Sequence, residues 1–408
     1  MAQDPARWAA RGAYVHVPFC VRRCLYCGFA TFVPAGRQAW AEDAYLAALQ
    51  RELAFYGRCL NLAAWPPLQS LYLGGGTPSF LTPEALGRLL GLLRRFLPLD
   101  PEAEITCEAN PESLDAEKLA VLRDNGVNRL SLGLQAAQDR LLRLLGRPHG
   151  WAQGVAAVKA ARATGFRNIS VDLMYGLPEQ TMAEWRETLR RALALEPDHI
   201  SAYELQIEEE QSALARRGAW GLPGEEETAE MYGLAQDELA GAGFGQYEIS
   251  NWALPGRACR HNLLYWRDEP YAAFGPGASG YLGGVRFRHT SSFRAWLQAW
   301  EQWIPQPAGQ EVHPALEEWE EIPAPLERAE AMIVGLRLRA GVSSEAFRTR
   351  FGTDPQQLWG PALAELQKEG WMENHGSRWS LPRRALLVSN QILWRFLPTQ
   401  SRVRGDHG

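Results

Sequence analysis

The sequence predicts an α/β fold: a partial, open (β/α)6 barrel followed by a C-terminal winged-helix-like α+β module. Three observations carry this expectation. Six short apolar runs alternate with amphipathic stretches over residues 1–245. The alternation stops in a Gly- and aromatic-rich segment and linker at 246–326. A compact helical pattern returns over 327–408.

The six runs read as buried parallel strands: Ala13–Val17, Ser70–Leu73, Glu104–Glu108, Arg129–Gly133, Ile169–Met174 and His199–Leu205. The stretches Ala39–Tyr56, Pro83–Phe96, Ala116–Asn125, Trp151–Thr164 and Ala183–Leu195 lie between them and carry helical periodicity. A further helix is expected at Glu226–Ala242. Residues Ile304–Pro325 hold five prolines and several acids, which reads as an exposed connection. Beyond it, helices are expected at Glu327–Arg339, Ser344–Phe351 and Trp359–Glu369, then a hairpin over Gly370–Leu381. The tail, Ser401–Gly408, is expected to be disordered.

The chain has 408 residues, 46% hydrophobic and 22% charged, with a net charge of −5, a balance that fits a multidomain globular protein and excludes a general nucleic-acid binder. After residue 326 there are 12 Lys or Arg against 8 Asp or Glu, too slight an excess to favour DNA contact by the winged-helix outline. No apolar run is long enough to span a membrane, and no basic-then-apolar leader is visible. A cytoplasmic location is therefore expected.

Three of the six cysteines, Cys20, Cys24 and Cys27, fall in one short loop after the first strand. Three thiolates at this spacing can hold three irons of a [4Fe–4S] cluster and leave the fourth iron open. An open iron can bind the amino and carboxyl groups of S-adenosylmethionine (SAM), whose reductive cleavage is chemistry that belongs to the cofactor. The alternative is a structural zinc site, with His16 as a conceivable fourth ligand. Cys59, Cys107 and Cys259 read as incidental thiols.

In a parallel β/α fold, functional groups gather at the C-terminal ends of the strands. Here those ends carry Gly74-Gly75-Gly76-Thr77-Pro78, Glu108-Ala-Asn110-Pro111, Gln135 with Arg147 soon after, Asp172, and Tyr203-Glu204. Taken singly, each polar residue has a structural explanation; together they would ring the mouth where the cysteine loop sits.

Residues 13–205 resemble the radical SAM family of oxygen-independent coproporphyrinogen III oxidases and their relatives. The resemblance rests on Tyr14–Cys27, Gly74–Pro78, Glu108–Pro111, Asn128–Gln135, Leu145–His149 and Asp172–Thr181. It implies a radical SAM barrel in which Tyr14, Gly75, Glu108 and Arg147 contact the cluster-bound SAM. In the oxidase, counterparts of Tyr26, Gly76, Thr77, Gln135 and Asp172 hold a second such molecule.

Two departures point to the heme-chaperone branch of that family. Phe29 stands where the oxidase has a further cysteine, and only 19 residues precede Cys20 where the oxidase has a longer extension. The segment His261-Asn-Leu-Leu-Tyr265-Trp266 matches the branch's His-Asn-x-x-Tyr-Trp. One mismatch is Gly28-Phe29, where the branch usually has Asp-Phe. The resemblance implies a chaperone that binds heme and passes it to acceptor hemoproteins. Peripheral contact with membrane hemoproteins and no specific nucleic acid are expected as well. His261, Tyr265 and Trp266 suit a porphyrin, since imidazole ligates heme iron and aromatic faces pack on the macrocycle; they also suit a structural core. The enzymatic alternative is radical decarboxylation of coproporphyrinogen III. A zinc-dependent DNA-binding regulator is a third class.

Overall fold

The computed structural model describes residues 5–207, 221–307 and 311–398. The tail expected to be disordered, 401–408, lies outside the described residues. Six parallel strands appear where expected: β1 (Gly12–Val17), β2 (Leu68–Gly75), β3 (Leu99–Ala109), β4 (Arg129–Gln135), β5 (Ile169–Tyr175) and β6 (His199–Glu204). Between and after them run α1 (Gln38–Leu60), α2 (Pro83–Phe96), α3 (Ala116–Asp124), the short α4 (Asp139–Leu144), α5 (Trp151–Thr164), α6 (Met182–Leu193) and α7 (Glu225–Gly241).

Local chemistry sets the helix starts. Thr82 accepts from the Ala85 amide, with Pro83 at the first helical position of α2. Thr181 and Glu184 form a reciprocal capping box on α6. The apolar faces then pack into one core; in α1, Tyr45, Leu49 and Leu53 are fully buried.

The segment after α7 does more than its loss of alternation suggested. β7 (Gly245–Glu248) and β8 (Asn251–Ala253) add to the β6 edge as antiparallel strands. After α8 (Arg260–Trp266), β9 (Tyr271–Phe274) returns to pair in parallel with β1. β10 (Ser279–Leu282) and β11 (Val285–His289) continue outward, then α9 (Phe293–Gln302) packs on α1. The connection expected at 304–325 contains β12 (Leu316–Glu321), paired with β11, which corrects the reading of that stretch as a mere linker. Its Glu-rich pattern hid it, because an edge strand needs little apolar surface and gains from charge. The result is a 12-stranded sheet, β12-β11-β10-β9-β1-β2-β3-β4-β5-β6-β8-β7.

The C-terminal part follows the expected helix–helix–helix–hairpin order. It comprises α10 (Ala324–Leu336), β13 (Val342–Ser343), α11 (Ser344–Phe351), α12 (Pro355–Lys368), and the hairpin of β14 (Glu373–Asn374) and β15 (Arg378–Ser380). It docks on the barrel through Arg350, which pairs with Asp268 at 2.8 Å, and through Arg383, which reaches Gln236 and Asp237. No helix among the described residues is long and apolar enough to cross a membrane.

Leu53→Ala removes a fully buried side chain between α1 and the sheet. It should lower unfolding free energy by about 2–5 kcal/mol, read by urea denaturation. A loss under about 0.5 kcal/mol would show that this face of α1 is not core.

Candidate functional site

Alternation along each strand builds the site. On β5, Ile169, Val171 and Leu173 are fully buried on the helix side, while Ser170 and Asp172 face the barrel interior. On β1, Tyr14 and His16 face inward; on β2 and β3, Tyr72 and Glu108 do, with the Tyr72 hydroxyl donating to Glu108 Oε1 at 2.8 Å. The interior is thus a polar column, and it opens at the C-terminal strand ends into a cleft of about 490 Å3.

The cysteine loop closes that mouth. The Cys20 amide donates to the Phe32 carbonyl at 3.1 Å and the Phe32 amide to Pro18 at 2.7 Å, so the loop leaves and rejoins the barrel at one place. The Leu25 amide donates to Leu145, and the Arg23 guanidinium donates twice to the Cys27 carbonyl. His16 donates from Nε2 to the Ala30 carbonyl at 2.8 Å, which leaves Nδ1 to accept from the Tyr14 hydroxyl at 3.1 Å. Both its nitrogens are thereby used, which removes His16 as a fourth zinc ligand.

Cys20, Cys24, Tyr26, Cys27, Gly75, Gly76, Thr77, Glu108, Gln135, Arg147 and Asp172 all line the cleft. Tyr14, expected beside them, does not. It lies two residues before His16 on the same face, about 6–7 Å deeper, and stacks on Tyr72 with centroids 6.2 Å apart.

The sequence reading passed over Asn110 as a site residue. Its Nδ2 donates to Thr77 Oγ1 at 2.8 Å and its Oδ1 accepts from Arg147 Nη2. Thr77 Oγ1 is 3.6 Å from Cys20 Sγ, and Arg147 Nη1 donates to Cys24 Sγ at 3.6 Å. One polar arc therefore joins two of the three thiols. Its signal was present in Glu108–Pro111, but nothing in that tetrapeptide tells which residue turns inward.

Gly75 adopts φ +111, and a Cβ there would lie 2.5 Å from the His16 ring. Gln135, a non-glycine at φ +64, sits at a register shift between β4 and β5. Backbone strain of this kind concentrates at functional sites.

Burial pushes the Cys20 thiol up to about 12 and raises Cys27 as well, so both hold their protons until a metal displaces them. Arg147 is buried, and its Nε has no partner. Three convergent thiols, an unpaired guanidinium N–H and a neighbouring carboxylate fit an iron–sulfur cluster with a zwitterionic ligand on its open corner.

The expected heme contacts lie elsewhere. His261 is 1% exposed, under the barrel floor on α8. Its Nδ1 lies 2.8 Å from Ser70 Oγ and its Nε2 2.9 Å from the Tyr265 hydroxyl. Burial and Arg129 hold it neutral, at about 3. Both ring nitrogens therefore have protein partners, an arrangement that suits a structural role at the barrel floor. Tyr265 and Trp266 do reach a cavity, of about 770 Å3, between the sheet and the C-terminal module.

Burial raises Glu108 to about 7, against bonds from Tyr72 and the Gly75 amide that favour its charge. A carboxyl raised above its ordinary 4.5 favours folding while protonated, so stability should fall as pH rises from 4.5 to 7. With water in the cleft screening the charge, this amounts to about 2 kcal/mol. Glu108→Gln should flatten this slope in cofactor-free protein, read from urea midpoints across that range; a wild-type-minus-variant difference independent of pH would refute it.

Comparison with known proteins is consistent with this geometry. A model of the radical SAM superfamily matches residues 14–192, and one of the HemN C-terminal domain matches 326–388. The chain is 36% identical over 391 residues to the heme chaperone HemW of Bacillus subtilis, covering 95% of this chain and 99% of that one. It is 38% identical to the Synechocystis heme chaperone HemW, covering 89% and 86%. Coproporphyrinogen III oxidase (HemN) from Escherichia coli, a radical SAM enzyme, has the same fold, with TM-score 0.82 at 24% identity over 96% of this chain and 91% of that one.

Proposed function

Because this chain belongs to the HemW family of radical SAM heme chaperones, we propose that it binds heme and hands it to acceptor hemoproteins. In this reading it carries a [4Fe–4S] cluster on Cys20, Cys24 and Cys27, with SAM in the cleft beside it. The single observation that carries the cofactor reading is the arc Cys20–Thr77–Asn110–Arg147–Cys24 around an open mouth. When bound and reduced, the cluster supplies the electron that cleaves the sulfonium of SAM.

The residues then divide the work. Arg147, fixed by Asn110 and by the Gly133 carbonyl at 2.8 Å, lines the cleft and sets a guanidinium charge there that can meet a carboxylate. Glu108 offers a carboxylate to an amine, and its Gly75 partner keeps it at the mouth. Asp172 accepts from Ser131 at 3.1 Å on the far wall, where it can hold a ribose hydroxyl. Tyr26 covers the cleft from the loop side, with the strained Gln135 opposite.

For heme we propose the second cavity. Tyr265, Trp266, Tyr271, Tyr281 and Trp394 give it aromatic walls, and Arg337 can meet a propionate, while Arg286 on the same wall is already paired with Glu330. Its size falls within the range of small-molecule pockets, about 300–1,000 Å3. The Arg337 guanidinium lies 4.8 Å from the Trp266 ring centroid, so cation and aromatic face already converge there.

Titration with hemin should give a Soret shift that saturates near one heme per chain. Trp266→Ala should weaken binding about tenfold, whereas His261→Gln should change it less than about threefold. Absence of any complex sinks the chaperone reading, and the reverse order of the two variants sinks this placement. An anaerobic assay with reductant, SAM and coproporphyrinogen III should show no protoporphyrinogen; turnover would establish the oxidase instead.

Cys24→Ala should abolish the cluster, reducing about four irons and four sulfides per reconstituted chain to background. The far-ultraviolet circular dichroism should persist, because Cys24 lies on the loop and outside the apolar core. Loss of folded protein would make the cluster structural as well; zinc in place of iron would overturn the assignment.

A further inference from the structure

Away from both cavities, one buried cluster has the chemistry of a metal site. Glu52 lies on the inward face of α1, His289 ends β11, and His313 lies on the approach to β12. One donor atom from each falls within 4.8 Å of the other two. Glu52 Oε1 is 3.0 Å from His289 Nδ1 and 3.7 Å from His313 Nε2. The other oxygen, Oε2, accepts from the Gly275 amide at 2.8 Å, which fixes the carboxylate.

The orphaned atoms point to a ligand. Glu52 Oε1 is buried without a hydrogen bond, and neither ring nitrogen of His313 has a partner. The His289 Nδ1–H is aimed instead at the Gly275 carbonyl, 3.1 Å away. Glu52 Oε1 thus meets both rings at ion-pair distance without hydrogen-bond geometry, an arrangement of three converging donors that a shared cation would satisfy.

We infer that Glu52, His289 and His313 bind one divalent first-row metal ion, with zinc as the best match. Two imidazoles and a carboxylate are an established zinc donor set that leaves one position open. The Tyr56 hydroxyl, 3.1 Å from His289 Nε2, can accept a hydrogen bond from Nε2–H in the tautomer whose Nδ1 lone pair takes the metal. The two rings are stacked, with centroids 4.4 Å apart, so one must turn for the lone pairs to converge. Phe55 and Trp300 pack edge-on against His313 and limit water. The ion would pin the antiparallel wing β10–β12 to α1, independently of the cysteine loop.

The test uses the full chain with Cys20, Cys24 and Cys27 all changed to alanine, which removes the competing thiol site. After chelation, reloading with zinc and desalting, this variant should retain about one zinc per chain. Cobalt in its place should give visible d–d bands without a near-ultraviolet thiolate band. Adding His313→Ala should weaken zinc retention about tenfold or more with unchanged circular dichroism. No retained zinc, a thiolate band, or retention indifferent to His313→Ala would overturn the proposal. Should His313→Ala fail to fold, the zinc count and cobalt spectrum of the three-cysteine variant decide alone.

Discussion

Everything in this molecule is constrained by the two faces of its parallel strands. Each strand must bury its apolar face under a helix, so its other face is committed to the barrel interior. That interior is filled with polar groups, and buried polar groups need partners. Tyr14 meets His16, Tyr72 meets Glu108, the serines of β4 and β5 meet Asp172, and Ser70 meets His261. The column is closed below by α8 and opens only above. Charge that accumulates there is presented at the mouth.

The mouth inherits its rigidity from this column. The cysteine loop is irregular, yet it is tied to β1 by Cys20 and Phe32, to the end of α4 by Leu25 and Leu145, and to the interior by His16. Thr77, Asn110 and Arg147 come from the ends of three different strand–helix connections and meet only because those strands are neighbours in register. A loop held at so many points pays little ordering entropy on binding a cofactor, which is what preorganisation supplies.

A parallel sheet that does not close leaves two edges. Here the chain covers both from one segment: β7 and β8 on one side, β9 to β12 on the other. The acidic outermost strand, Leu316–Glu321, is paired to Arg286 and Arg288 across the ladder, so its charges discourage further strand addition. The same extension creates two features with no counterpart in a bare half-barrel: the aromatic cavity beneath the C-terminal module and the buried Glu52–His289–His313 cluster.

The sequence alone determined whatever depends on neighbours in the chain. The spacing of Cys20, Cys24 and Cys27 is local and survives any packing. Alternation of apolar strands with amphipathic helices announced the barrel and the order of its polar strand ends, and Gly75 marked a turn that only glycine tolerates. Tertiary structure decided depth and partnership. Nothing in their motifs told that Tyr14 would stack on Tyr72 beneath the cleft or that His261 would be tied to Ser70 at the floor. Asn110 became the centre of the cysteine arc only when β2, β3 and β4 aligned. β12 was invisible because its pairing energy comes from backbone hydrogen bonds to β11, which composition does not encode. Periodicity tells which face a side chain takes; how far along the barrel axis it lies, and what arrives opposite from a distant segment, is settled by strand register and by the closure of the sheet's edges.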